Sequence, residues 1–152
     1  MSEPLVRYLA SAVCYQDAKA ALLWLEAAFG FEPVMVILDK DGQLMHSEMR
    51  FGEALVMVGN EWSPKHKSAK SLGGINTQTV HVQLASGLDE HCERARKAGA
   101  IIDQEPETQF YGDRTYRAVD PEGHFWTFGQ TVQAMEPEAW DKAMGTVTRK
   151  RL

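Results

Sequence analysis

The chain has 152 residues, of which 44% are hydrophobic and 24% charged, and its formal net charge is −5. This composition is that of a globular protein and excludes a disordered or fibrous chain. The negative charge argues against nucleic acid as a partner, because phosphate backbones are bound by clustered lysine and arginine. The basic cluster Arg149, Lys150 and Arg151 is interpreted as a solvated tail.

The sequence predicts a cytoplasmic protein without a membrane partner. No apolar run reaches the roughly 18 residues that a membrane span needs, and the first residues do not form a signal segment. Cys14 and Cys92 are too few for a disulfide framework and lack metal-type spacing. We therefore expect both cysteines to be reduced and structural.

The first half of the chain predicts one strand, one helix and three more strands. Residues 6–15 are rich in β-favouring side chains and lead to Asp17, a residue that caps helices. Residues 18–29 carry apolar residues at helical spacing, and Gly30 provides a left-handed end. Strands follow at 32–38, 44–51 and 54–58, with glycine-containing turns between them. Residues 60–76 have no clear period and are interpreted as a linker or a flexible loop over the site.

The second half predicts the same order of elements again. The order is a strand at 79–85, a helix at 88–98 and strands at 100–104, 114–119 and 124–129. A βαβββ unit of roughly 60 residues thus occurs twice. We predict a single α+β domain over residues 1–152, with module one at 4–62, a loop at 60–78, module two at 79–131 and a helical tail at 136–150.

Six short motifs follow one another along the chain: DAKAA at 17–21, FGFE at 29–32, HSEMRFG at 46–52, SLGG at 71–74, YGDR at 111–114 and DPEGHFW at 120–126. In this order they resemble the vicinal oxygen chelate superfamily, which includes glyoxalases, bleomycin-resistance proteins and dioxygenases. The last motif is the most specific. The sequence is most similar to the bacterial glyoxalase-like branch.

This resemblance implies two βαβββ modules that form a curved, cupped mixed sheet, with the helices on its convex face. It also implies a homodimer in which a second chain helps to build the site. Whether modules pair within one chain or exchange between two chains is left open. The fold alone does not imply an enzyme, because it hosts lyases, metal dioxygenases and proteins that bind a drug.

Metal enzymes of the superfamily take one ligand each from the first, fourth, fifth and eighth strands. In this sequence the corresponding positions are Ala10, residues 55–58, His81 and Thr127. Only His81 offers the kind of donor that a divalent ion needs. We therefore expect no cofactor and no metal centre of the superfamily's usual kind.

Alternation along the third strand suggests another polar group. Ser47, Met49 and Phe51 suit the packed face, so His46, Glu48 and Arg50 would face the cup. Together with His81, His46 and Glu48 could serve general acid–base chemistry or hold a displaced divalent metal. The alternative is an ordinary solvated row on a half-exposed strand.

Other side chains are candidates for the wall of a ligand site. Phe125 and Thr127 should face the cup, with Trp126 and Phe128 in the core. The further candidates are Arg50, Trp62, Gln83, Tyr111 and Tyr116. The alternative for Trp62, Tyr111 and Tyr116 is a place in the core, where such side chains are found more often. His66 is read as a loop residue, His91 as solvated on its helix, and His124 as a partner of backbone groups.

The sequence thus favours a homodimeric protein that binds a small molecule, planar or aromatic, without the superfamily's own metal. The alternative is a divalent-metal-dependent lyase or dioxygenase that uses His46, Glu48 and His81, and a third class is a purely structural or regulatory dimer. A short helix should begin near Pro137 and pack on the partner chain or on the sheet edge.

Overall fold

The computed structural model describes residues 2–152 and shows an α+β fold made of two βαβββ modules. Module one contains β1 (Ser11–Tyr15), α1 (Ala18–Phe29), β2 (Glu32–Leu38), β3 (Leu44–Phe51) and β4 (Ala54–Asn60). Module two contains β5 (Val80–Leu84), α2 (Leu88–Lys97), β6 (Ile101–Thr108), β7 (Asp113–Val119) and β8 (Phe125–Thr131). A helix α3 (Pro137–Met144) follows. No helix within residues 2–152 is long and apolar enough to cross a bilayer.

The strands form two four-stranded mixed sheets of identical topology. Their orders are β1-β4-β3-β2 and β5-β8-β7-β6. In each sheet the first strand pairs in parallel with the fourth, and the remaining neighbours are antiparallel. The repeat predicted from the sequence is confirmed, but the strands divide into two sheets.

The first helix shows why the predicted boundaries hold. The Asp17 side chain accepts a hydrogen bond from the Ala20 backbone N–H, and Gly30 ends the helix with a φ of 75°. The Arg94 guanidinium of α2 then donates to the carbonyl oxygens of Glu26 and Ala27. A cation at the C-terminal end of a helix is favourable because of the helix dipole, so α2 helps to terminate α1.

The core lies between the helices and one face of each sheet. Alternation along β3 is confirmed, because Ser47 and Met49 are fully buried while His46 and Glu48 lie on the opposite, partly exposed face. The same holds in β8, where Trp126 and Phe128 are fully buried. We call the sheet surface away from α1 and α2 the open face. The two modules share this core, since Phe31 of module one packs on Trp126 at a ring distance of 5.5 Å.

Two strands differ from the sequence predictions. Strand β1 begins at Ser11, so residues 6–10 are not part of a strand although they favour one; a strand forms only where it finds a partner. Strand β6 continues to Thr108 through Pro106, which an edge strand tolerates.

Helix α3 begins at Pro137, as predicted. It has no residue that is buried within this chain, and its Trp140 donates to the Thr148 hydroxyl in the tail.

Asp120 joins the two modules. Its carboxylate is buried and accepts hydrogen bonds from the Tyr15 hydroxyl (2.7 Å) and the Trp126 indole N–H (3.1 Å). It also accepts the backbone N–H groups of Glu122 and His124, each at 3.0 Å. Burial by itself raises the pKa of Asp120, but the hydrogen bond and charge of His124, with the Tyr15 bond, lower it overall. The DPEGHFW motif is thus a structural junction between β1 and module two.

Residues 61–78, which we call the strap, connect the modules along a fixed path. The Glu61 carboxylate accepts the backbone N–H and the hydroxyl of Ser68, at 2.7 and 2.8 Å. Hydrogen bonds from Ser71, Ser68 and Lys67 lower the pKa of Glu61 to about 2. Asn76 donates to the Gly123 carbonyl at 2.8 Å and accepts the Phe125 N–H at 3.1 Å. The strap is therefore tied to module two as well as to itself.

We expect Asp120→Ala to lower the free energy of unfolding by at least about 3 kcal/mol, because it leaves several buried donors without an acceptor. Urea unfolding followed by circular dichroism measures this change. Asp41→Ala, at an exposed turn position, should change stability by less than about 0.5 kcal/mol. Equal stability of the two variants would contradict the role assigned to Asp120.

Candidate functional site

A cavity of about 540 Å³ lies at the seam between the two modules. It is bordered by the segment before β1, by the start of β4 and by β5, and we call it the seam pocket. Its lining residues are Tyr8, Leu9, Ser11, Phe31, Met49, Phe51, Glu53, Ala54, Leu55, Val56, Val80, His81, Val82, Gln83 and Trp126. Its volume falls within the range of about 300–1,000 Å³ that small-molecule sites occupy.

The late start of β1 opens this pocket. The ladder between β1 and β4 runs from Ser11–Val56 to Tyr15–Asn60, so it does not extend to Ala54 and Leu55 at the beginning of β4. The chain before Ser11 leaves the sheet, and the side chains of Tyr8 and Leu9 remain exposed beside the gap.

The walls of the seam pocket are mostly apolar and aromatic. Phe31 and Trp126 reach it from the core, and Phe51 packs against Phe31 with a ring distance of 5.3 Å. Tyr8 and Leu55 complete the surface nearer to solvent. Flat apolar molecules bind to such surfaces through stacking and burial of area.

One edge of the seam pocket is polar. His81 and Gln83 are exposed on the open face of β5, and His81 Nε2 lies 2.8 Å from Gln83 Oε1. Gln83 Nε2 donates to Asp113 Oδ2 at 2.9 Å and to the Thr131 hydroxyl at 3.3 Å. Four side chains from three strands therefore form one hydrogen-bonded network that ends at the pocket.

The open face of module two continues from His81 across the sheet. His81 is paired in register with Thr127, which in turn is paired with Arg117. The Arg117 guanidinium donates to Asp103 at 2.6 Å and lies over the Phe125 ring, 5.7 Å from its centre. Phe125 and Thr127 thus lie on the predicted face, although Phe125 borders a smaller cavity of about 200 Å³ under the strap.

The open face of module one holds a second set of the predicted residues. His46 Nε2 donates to the Glu48 carboxylate at 3.2 Å, and both side chains are partly buried. Arg50 is bound instead to Glu32 of β2, at 3.2 Å. Trp62 is 77% exposed and stacks on His66 with a ring distance of 4.7 Å. Trp62 and His46 line a separate cavity of about 320 Å³.

Two predicted wall residues lie elsewhere. Tyr116 is fully buried and faces the helices, which corrects its assignment as a ligand wall. Tyr111 is 39% exposed, packs edge-on against Phe110 and does not line the seam pocket. In β7, Thr115 and Arg117 lie on the open face and Tyr116 lies on the core face.

His91 is also corrected, because it is not solvated on its helix. Its Nε2–H donates to the Phe29 carbonyl at 2.9 Å, and its Nδ1 accepts the Tyr116 hydroxyl at 2.6 Å. The ring stacks on Phe29 with an angle of 18° between the planes. Burial lowers the pKa of His91. His124, as expected, serves the turn, where it donates to Asp120 and faces the Ala69 backbone N–H.

The residues of this chain do not fit the superfamily's metal centre. Of the four expected ligand positions, three hold Ala10, the apolar segment 55–58 and Thr127. Within residues 2–152, no group of three or more His, Cys, Asp or Glu side chains has the arrangement that a metal ion needs. His46 and Glu48 are in contact, but His81 does not join them as a third ligand.

The thiols do not supply a nucleophile either. Cys14 and Cys92 are both free and buried. Burial raises the pKa of Cys92 to about 11 and also raises the pKa of Cys14. Since the thiolate is the reactive form, these side chains act as part of the packing.

Sequence reasoning missed several residues of the seam pocket. Tyr8 and Leu9 were assigned to a strand, and Phe51 to the packed face. Asp113, which binds Gln83 at the edge of the pocket, was placed just before the strand at 114–119. The alternation in β3 does place Phe51 towards the core, and only the gap beside β1 makes it accessible. No local signal marks Asp113, because its partner Gln83 lies on another strand, β5.

A family model described as the Glyoxalase/Bleomycin resistance protein/Dioxygenase superfamily matches residues 7–128. The chain belongs to this superfamily. Uncharacterized proteins of Mycobacterium bovis and Mycobacterium tuberculosis H37Rv are each 30% identical to it over 134 residues. The alignments cover 86% of this chain in both cases, with 87% of the first relative and 78% of the second.

Solved structures show the same fold. TioX from Micromonospora sp. ML1 is 32% identical, with a TM-score of 0.66 over 85% of this chain and 99% of that one. TnmS3 from Streptomyces sp. CB03234, described as an antibiotic binding protein, is 15% identical, with a TM-score of 0.65 over 85% of this chain and 99% of that one. A superfamily member from Sphaerobacter thermophilus is 18% identical, with a TM-score of 0.67 over 84% of this chain and 99% of that one.

The buried His91 should make the fold less stable in mild acid. Because burial lowers its pKa in the folded chain, the unfolded chain binds the proton more readily. The stabilisation that neutral His91 gives is therefore complete above its unfolded pKa of about 6.5. It is lost as the pH falls through the lower, folded value. Urea unfolding between pH 7.5 and 5.0 should show this loss, and His91→Gln should reduce it. An unchanged pH dependence in His91→Gln would contradict the assignment.

Proposed function

We propose that this protein binds a planar, largely apolar small organic molecule in the seam pocket and does so without the superfamily's metal centre. The observation that carries the proposal is the pocket of about 540 Å³, in which aromatic walls meet the polar edge formed by His81 and Gln83. Apolar walls with a few orienting polar groups are typical of small-molecule sites.

Two further observations support binding rather than metal-dependent catalysis. The donors needed for the superfamily's ion are missing from three of its four positions, and both thiols are buried. A protein of the same fold, TnmS3, is described as an antibiotic binding protein. A cytoplasmic location is part of the proposal, because free cysteines are typical of a reducing compartment.

We also propose that the protein is a homodimer joined through β2. Five consecutive apolar residues of this edge strand are 44–49% exposed, namely Val34, Met35, Val36, Ile37 and Leu38. The equivalent edge strand of module two, β6, carries Asp103, Glu105, Pro106 and Glu107. Charges and proline protect an edge from pairing with another chain, and β2 lacks that protection beyond Glu32 and Pro33 at its start. A second copy of this chain, presenting the same strand, is the occupant that fits.

Ligand binding is tested with 2-methoxynaphthalene as a planar two-ring probe in isothermal titration calorimetry. We expect one saturable site per chain, and Leu55→Trp should weaken binding at least about tenfold because the larger side chain fills the pocket. Leu23→Trp, on the exposed side of α1, is the matched control and should bind normally. Absence of binding in the wild type, or equal affinity in Leu55→Trp, would contradict the proposed site.

The same titration tests whether ligand binding needs a divalent metal ion. Protein treated with a chelator should bind the probe as well as untreated protein. A stoichiometric divalent ion whose removal abolishes function would instead support a metal-dependent lyase or dioxygenase that uses His46, Glu48 and His81.

The dimer is tested by sedimentation velocity. The wild type should sediment as a dimer, and Val36→Lys should shift it to the monomer, because a charge is placed in the apolar strand. Ile101→Lys, at an exposed position of β6, should leave the dimer intact. A dimer that withstands Val36→Lys and dissociates in Ile101→Lys would place the interface on the other module.

A further inference from the structure

We infer that Asp113 and Gln83 fix the tautomer of His81 so that its Nδ1 atom accepts a hydrogen bond from a donor on the ligand, such as a phenolic hydroxyl or an aromatic N–H. This inference rests on the proposed function of the seam pocket and names the class of ligand that the pocket prefers. Asp113 acts as a positioning residue, since it does not line the pocket, and Gln83 at the pocket edge connects it to His81.

The first step is the orientation of Gln83. An ionised carboxylate accepts hydrogen bonds and cannot donate them. The Asp113 Oδ2 atom, 2.9 Å away, therefore requires the amide nitrogen of Gln83 on its side. The Thr131 hydroxyl lies 3.3 Å from the same nitrogen. The amide oxygen is consequently directed the other way, toward His81.

The second step is the tautomer of His81. Its Nε2 atom lies 2.8 Å from the amide oxygen of Gln83, which can only accept. The ring proton of neutral His81 must therefore be on Nε2, and Nδ1 carries the lone pair. Within residues 2–152, Nδ1 has no hydrogen-bond partner. The side chain is exposed and lines the seam pocket, so the lone pair is available to a ligand.

The third step is the support beneath this pair. Gly129 of β8 lies against both side chains, and a Cβ atom there would be 2.8 Å from Gln83 Oε1 and 3.2 Å from His81 Nε2. The absence of a side chain at Gly129 lets the imidazole and the amide lie close to the sheet. The side chains of Gln83 and His81 are thus supported by the sheet at Gly129 as well as by the hydrogen bond to Asp113.

The ligand class follows from these three steps. The apolar walls suit a planar ring system. The lone pair on His81 Nδ1 favours a ligand with a hydrogen-bond donor at the edge of that ring system. A ligand that carries only acceptors at this point leaves the lone pair desolvated and without a partner, which is unfavourable. One such hydrogen bond corresponds to a preference of roughly five- to tenfold.

The test compares 2-naphthol, which has a donor, with 2-methoxynaphthalene, which does not. Titration calorimetry should show 2-naphthol binding about five- to tenfold tighter to the wild type. In Asp113→Asn the preference should fall below about twofold, because an amide at this position no longer dictates the orientation of Gln83. Asp103→Asn, which removes a carboxylate bound to Arg117 on the same sheet, should keep the preference. Gln83→Met serves as a second variant and should also lose the preference.

A ligand-free measurement reports the tautomer directly. Long-range ¹H–¹⁵N spectra of the imidazole should place the proton on Nε2 of His81 in the wild type and in Asp103→Asn, and should show loss of this single form in Asp113→Asn. Equal binding of both probes to the wild type, or a proton on Nδ1, overturns the inference while the pocket itself stands. Failure of both probes to bind overturns the proposed function together with the inference.

Discussion

The buried carboxylate of Asp120 links the two modules at a single point. It receives hydrogen bonds from Tyr15 of β1, from Trp126 of β8 and from the turn between β7 and β8. In the same turn, Glu122 accepts the backbone N–H groups of Gln16 and Asp17 just before α1. One turn of module two therefore orients the first strand and the first helix of module one. Trp126, which donates to Asp120, also lines the seam pocket.

The seam pocket lies where the ladder between β1 and β4 ends. Each module closes its own sheet by pairing its first and fourth strands in parallel, but β1 begins too late to cover the start of β4. Core aromatic side chains such as Phe31 and Trp126 border the cavity at this point. The same residues thus belong to the core and to the wall of the pocket, and the polar groups of β5 lie at its rim.

Local alternation is what the sequence predicts well. It assigns Trp126 and Phe128 to the core and Thr127 to the open face, and the structure agrees. It fails for residues whose environment is determined by a partner from a distant segment of the chain. Tyr116 and His91 lie on different elements and meet in the core through one hydrogen bond. The sequence around either residue does not indicate the other as its partner. The segment before Ser11 favours a strand, but whether it forms one depends on a neighbour that its sequence does not specify.

The hydrogen bonds of the strap restrict the length of the connection between the two modules. Surface connections usually accept extra residues at little cost in free energy. Here Glu61 is bound to Ser68, Ser71 is bound to Gln16, and Asn76 is bound to the backbone at Gly123 and Phe125. Insertions within 61–78 would pull these anchors out of register, so the length of this connection is constrained almost as strictly as the core.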